Sequence, residues 1–396
     1  MKIRLAAAPV AVLVLAGCAP AATSAPPSPD TSAPAPHGER AGAIEMATPQ
    51  STLLSVAADG TVGLLDLLTE ETRELGAIGA PTAIDSDGRF GFVSTQQGVD
   101  VVDSGVWSWD HGDHFHHYRA EPRLTGSLPG EGPVSVTTPP LSTSGATGLF
   151  FSGSGDAVAV DMASLDGGEI SEWFRLPTEA NSGVVAPAGD YAVVAVDDGS
   201  DTAVVYDDEG ELVDGSSAPC VDPAGAIATR AGTVIGCADG ALIAMTDSGS
   251  VTFDRAPAPS DAPRATEFAG RKNRPTVAAL SGDRAFWLLD VREREWERVE
   301  VSHDLVAVAA ADDADGNVVA IDADGVVRVF GPDGSDRGST DPIAHENSTL
   351  TVDTERAYVA SPAEGVVYEI DYADAARIAR VLTTATSPDA AVEVGR

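Results

Sequence analysis

The sequence predicts an all-β chain folded as a β-propeller of about eight four-stranded blades, seven being the alternative, closed by pairing of N- and C-terminal strands. Three observations carry this expectation. Hydrophobic residues make up 43% and charged residues 21%, enough for a sizeable core, while 40 Gly and 26 Pro demand many turns. A unit of two short β-rich runs joined by a Gly or Asp-Gly turn recurs eight times, the second run ending in an aliphatic or aromatic pair and then usually Asp. Seven steps from Asp66 to Asp371 cover 305 residues, about 44 per step, which is the length of a four-stranded blade.

Residues 1–17 read as a leader. Met1-Lys2-Ile3-Arg4 is basic, Leu5 to Val14 is apolar but too short to span a bilayer, and Leu15-Ala16-Gly17-Cys18 follows. That is a lipobox, similar to bacterial lipoprotein signals, and the similarity implies cleavage before Cys18 and a lipid on its sulfur. Acyl chains contribute about 0.8 kcal/mol per buried CH2, so such an anchor would hold the protein on the outer face of the bacterial cell membrane. Residues 18–43 continue as an Ala/Pro/Ser/Thr-rich tether that cannot bury a core and holds a partly extended conformation.

Residues 44–396 hold the repeat. Its units run from Leu53-Leu54-Ser55-Val56 with Gly63-Leu64-Leu65-Asp66 to Ala357-Tyr358-Val359 with Tyr368-Glu369-Ile370-Asp371. Each pair reads as the middle of a blade, with an apolar inner strand such as Leu305-Val306-Ala307-Val308 before it and a polar outer strand such as Trp296-Glu297-Arg298-Val299-Glu300 after it. Ala390-Ala391-Val392-Glu393-Val394 reads as an inner strand for the first hairpin, which ties the termini together and removes a free edge. A formal charge of −37, from 24 basic and 61 acidic side chains, repels phosphate backbones and excludes nucleic-acid binding as a main activity. The same acid content keeps a monomer soluble.

One step departs from the repeat: Asp103 to Asp161 is 58 residues. Its surplus holds Trp107-Ser108-Trp109-Asp110-His111-Gly112-Asp113-His114-Phe115-His116-His117-Tyr118, read as a loop, with four of the chain's seven histidines inside seven residues. Neutral imidazole is the commonest nitrogen ligand for metals, so His111, His114, His116 and His117 with Asp113 or Asp110 can supply three nitrogens and a carboxylate to Zn2+. The competing reading is a solvated loop whose histidines only titrate.

Cys220 and Cys237 flank the inner strand and the start of the next strand of the fifth unit, where antiparallel pairing would bring them face to face as a disulfide; thiolate metal ligation is the alternative. Asp-rich turns such as Asp85-Ser86-Asp87-Gly88 and Asp322-Ala323-Asp324-Gly325 lack the ligand spacing and flanking helices of a calcium loop and read as hairpin turns. His303-Asp304 and His345-Glu346 lie 42 residues apart, about one unit, so equal phase would set them side by side at the channel mouth as a second site.

The motif His111-Gly112-Asp113-His114-Phe115-His116-His117-Tyr118, followed by Glu121-Pro122-Arg123-Leu124, resembles that of the AztD zinc metallochaperones, which accompany Azt-type ABC zinc importers. There it runs roughly His-Gly-Asp-His-x-His-Tyr-Tyr before Glu-Pro-Arg. The resemblance implies a non-enzymatic extracytoplasmic protein that binds Zn2+ and hands it to the importer's solute-binding protein. His117 departs from it where the family has an aromatic, as does a lipid anchor in place of free periplasmic secretion. In the family a His-Gly follows the first Cys of the fifth blade; here Cys220-Val221-Asp222-Pro223 stands. A scaffold propeller without metal, or a propeller enzyme of quinoprotein or lactonase type, are the other classes; for an enzyme, only His303 and His345 would remain to serve a channel.

Overall fold

In the computed structural model the described residues are 38–396 apart from His111, Asp113, Ser260, Asp261 and Glu346. The leader, Cys18 and the tether as far as residue 37 lie outside them. Eight antiparallel sheets of four strands follow one another along the chain, with a ninth, three-stranded sheet beside them. No helix among the described residues is long and apolar enough to cross a membrane.

The eight recurring units are the middle strands of these sheets. Thr52–Val56, Phe90–Thr95, Gly98–Asp103 and Ala146–Phe151 bury every residue, so both faces of each strand are covered and the apolar runs are continuous rather than alternating. Phe90, Phe92 and Val101 of one sheet pack with Leu149, Phe151 and Val158 of the next. Sheets approach so closely that a Cβ on Gly148 would lie 1.8 Å from the carbonyl oxygen of Val185, which is why glycine stands there. Outer strands such as Thr72–Ala77 and Glu295–Glu300 are mostly solvated and polar.

The Asp that ends the unit has a local task. Asp66, Asp161, Asp207 and Asp290 each accept hydrogen bonds from backbone amides two to four residues on, closing the turn to the outer strand. Asp87 and Asp322 do the same for the Asp-Gly turns, as hairpin chemistry requires.

Both termini build the first sheet. Ala390–Val394 pairs antiparallel with Thr52–Val56, Thr52 opposite Val394 and Val56 opposite Ala390. The Cys220–Cys237 disulfide is present, with Cα atoms 5.2 Å apart. Cys237 ends the second strand of its sheet rather than starting it. The approach is made by residues 221–225, which run back along that strand's end through the amides of Ala238 and Ala224.

Candidate metal centre

The surplus in the 58-residue step forms a β-hairpin where the sequence suggested a loop. Val106–Asp110 and Phe115–Arg119 leave between the third and fourth strands of the second sheet and pair antiparallel, Trp107 opposite Tyr118, Ser108 opposite His117 and Trp109 opposite His116. Ile44–Met46 joins the far edge, with Met46 opposite His117 and Ile44 opposite Arg119. This places the end of the expected tether against the hairpin, and residues 38–43 already engage it: Trp107 Nε1 donates to the Gly38 carbonyl at 3.0 Å.

The hairpin is fastened through a buried charge network. Arg89 and Asp103 are 0% and 1% exposed, joined by two parallel hydrogen bonds of 2.9 and 3.0 Å. Asp166 takes the remaining Arg89 nitrogen at 2.5 Å, and Arg123 of the Glu-Pro-Arg stretch donates to Asp103 at 2.9 Å. The Arg89 guanidinium lies 3.9 Å from the Trp107 ring centroid, and Trp107 stacks on Tyr118 at 5.3 Å. Arg119 ties the second strand to Asp66 at 2.5 Å.

Strand pleating divides the histidines. His116 and Tyr118 point to the face of Trp107 and Trp109; Phe115 and His117 point to the other. His117 Nδ1 lies 2.8 Å from Ser108 Oγ, and burial, with the His116 imidazole adding to it and Glu45 opposing, holds its pKa below the usual histidine value. His114 and His116 converge, their Nε2 atoms 3.0 Å apart. Two nitrogens bound to one tetrahedral Zn2+ at 2.0–2.1 Å would be separated by about 3.3 Å, so a small movement admits the ion.

Glu45 completes the arrangement, and nothing local in the sequence marks it. Its Oε1 lies 2.7 Å from His116 Nδ1. With the Nδ1 proton directed to the carboxylate, His116 Nε2 keeps its lone pair for a hydrogen-bond donor, here His114 Nε2–H, or for a metal. Asp110 is committed elsewhere, its Oδ1 to the Gly112 amide at 2.8 Å and its Oδ2 to Arg230. His111 and Asp113 lie outside the described residues. Among the described residues no three of His, Cys, Asp and Glu converge on one point.

The second expected site is spread out. His303 Nδ1 is 3.9 Å from Asp322, whose carboxylate is held by Arg328 at 2.6 Å. His345 Nε2 is 4.0 Å from Glu364. Asp304 is bound by Arg284 at 2.6 Å, and Glu346 lies outside the described residues. Each histidine faces a carboxylate of its own, and no contact joins the two among the described residues.

Solved structures share the fold. The chain is similar to AztD from Citrobacter koseri, TM-score 0.72 at 20% identity over 88% of this chain and 98% of that one, and to the apo form of the same protein, 0.72 at 19% over the same shares. A more distant likeness, TM-score 0.54 at 13% identity over 90% of this chain and 80% of that one, is to the dihydro-heme d1 dehydrogenase NirN. No family profile and no curated protein matches the chain in sequence.

Proposed function

We propose that this chain is an extracytoplasmic zinc carrier built on an eight-bladed ring closed by the Ala390–Val394 strand. In this reading it is a non-enzymatic metallochaperone, anchored by a lipid on Cys18, that passes Zn2+ to the solute-binding protein of an ABC importer. The observation that carries it is the His114–His116 pair with its Nε2 atoms 3.0 Å apart, backed by Glu45. His111 and Asp113, which fall between Asp110 and His114 in the sequence, would complete the ligand set. A site on a hairpin tip exchanges its ligands one at a time with a partner, as a carrier requires. The likeness in fold to AztD, together with the resemblance of His111-Gly112-Asp113-His114 to that family's motif, supports the same role, and the disulfide fits an oxidising compartment.

The test is metal analysis of untagged protein followed by transfer. Zinc bound with submicromolar affinity should move to an excess of apo solute-binding protein. Protein purified without metal that takes up none under titration would instead favour a scaffold. Cys18→Ala should abolish lipidation and leave zinc binding intact.

A further inference from the structure

The chain carries a formal charge of −37, yet one of its cavities is basic. A space of about 500 Å3 lies beside the Phe115 and His117 face of the hairpin, with Arg230, Arg271, Lys272, Arg274 and Arg396 on its walls. Two of these cations are paired, Arg230 with Asp110 and Arg274 with Asp312 at 2.8 Å, while Arg396 lies 3.2 Å from the Glu393 carboxyl. Arg271 meets the Asp312 carbonyl at 3.3 Å and the Tyr372 side chain, Lys272 meets the Arg396 carbonyl at 3.0 Å, and neither has a carboxylate in ion-pair contact among the described residues.

The nearby acids leave that charge standing. Asp87 acts on Lys272 through space and spends its Oδ1 on the amides of Arg89 and Phe90. Glu393 is 1% exposed, and burial pushes its carboxyl up to about 8, so it is largely neutral at pH 7. Asp353 spends one oxygen on the amides of Glu355 and Arg356. Arg396 Nε, on the same wall, is buried without a hydrogen-bond partner. Lys272 is the sole lysine after Lys2, and burial lowers it to about 8. Cations held in a cavity without a carboxylate in contact carry a desolvation cost that an anionic ligand offsets.

We infer that this cavity is a binding site for a small molecule bearing an oxyanion, carboxylate or phosphate, held by Arg271 and Lys272. The planar guanidinium offers a two-pronged donor and the ammonium a point charge. Phe115, 55% exposed, and Pro49 supply an apolar wall, and the volume lies in the range of roughly 300 to 1,000 Å3 typical of small-molecule sites.

The test is calorimetric titration of the metal-free full-length protein with inorganic phosphate and, separately, citrate, at ionic strength fixed with sodium chloride. Saturable binding of one or both should appear below about 1 mM, the stronger of the two identifying the favoured oxyanion. Arg271→Gln should weaken it about tenfold or more. Arg274→Gln, whose parent is already paired, should change it less than about twofold. Melting curves of the ligand-free variants check the fold. If Arg271→Gln does not melt cooperatively, Arg271→Lys, which keeps charge and loses the fork, should still weaken binding measurably. No saturable heat with either ligand up to about 10 mM, or affinity untouched at position 271, overturns the site. Because the protein is metal-free, that failure leaves the zinc reading standing.

Discussion

Glu45 and His116 stand 71 residues apart in the chain and 2.7 Å apart in space. The contact exists because Ile44–Met46 adds an edge strand to the hairpin, which sets Glu45 on the face where His116 and Tyr118 project. A carboxylate on Nδ1 orients the ring, fixes the tautomer and raises the basicity of Nε2, and losing such a group typically costs 10- to 100-fold in metal affinity. Glu45→Ala should therefore weaken zinc binding by about that factor, and Glu45→Gln, which still accepts a hydrogen bond, by less. Competition against a chromophoric chelator measures both. Wild-type affinity in Glu45→Ala would mean the carboxylate does not orient the ligand.

Neighbouring histidines should behave unlike each other. Since pleating sends His116 and His117 to opposite faces, His116→Ala should remove most zinc affinity, and His117→Ala should leave it within about threefold. Equal losses at the two positions, with both variants folded, would refute the division.

Loading should also depend on pH. Imidazole ligates only when neutral, so zinc binding should decline as pH falls through about 6.5. His117, held below the usual value by burial, should remain neutral to lower pH than a peptide histidine, a shift readable by NMR on the metal-free protein.

Glu393 predicts the sign of a stability change. Burial raises its carboxyl from 4.5 to about 8, so between those values the native state holds a proton that the unfolded state has released. Native stability therefore loses a contribution as pH rises across that window. Glu393→Gln cannot ionise, and its stability relative to the parent should grow from about pH 4.5 to about pH 8, by a few kcal/mol in total, then level off. Urea midpoints at several pH values give the curve. A flat difference would show that Glu393 is ionised throughout.

Removing the disulfide tests stability apart from metal. Cys220→Ser with Cys237→Ser opens a closure of 17 residues and should cost about 3 kcal/mol. Zinc content should not change, because sulfurs bonded to each other offer no thiolate. Loss of zinc in a folded double variant would revive the thiolate alternative.

The sequence by itself determined the repeat, its phase and its turns. Each unit is local: two strands and a tight turn lie within about twenty residues, so apolar runs and Asp-Gly turns report directly on hairpins. The pairing of Ala390–Val394 with the first hairpin was legible too, since the segment has inner-strand character. The histidine cluster was legible as composition, and Trp107 with Trp109 carried the period of two that marks a strand. Which histidines meet was not legible, because a loop leaves four imidazoles free to converge whereas a pleated strand forces His116 and His117 apart. Tertiary structure alone supplied Glu45 from the N-terminal edge strand and gathered Arg230, Arg271 and Arg396 around one cavity from three separate parts of the chain. The repeat spacing suggested like positions for His303 and His345, but each side chain turns toward a carboxylate of its own, Asp322 and Glu364. Phase sets where a backbone position lies in a repeat, while the direction of a side chain depends on the partners that surround it in the folded sheet.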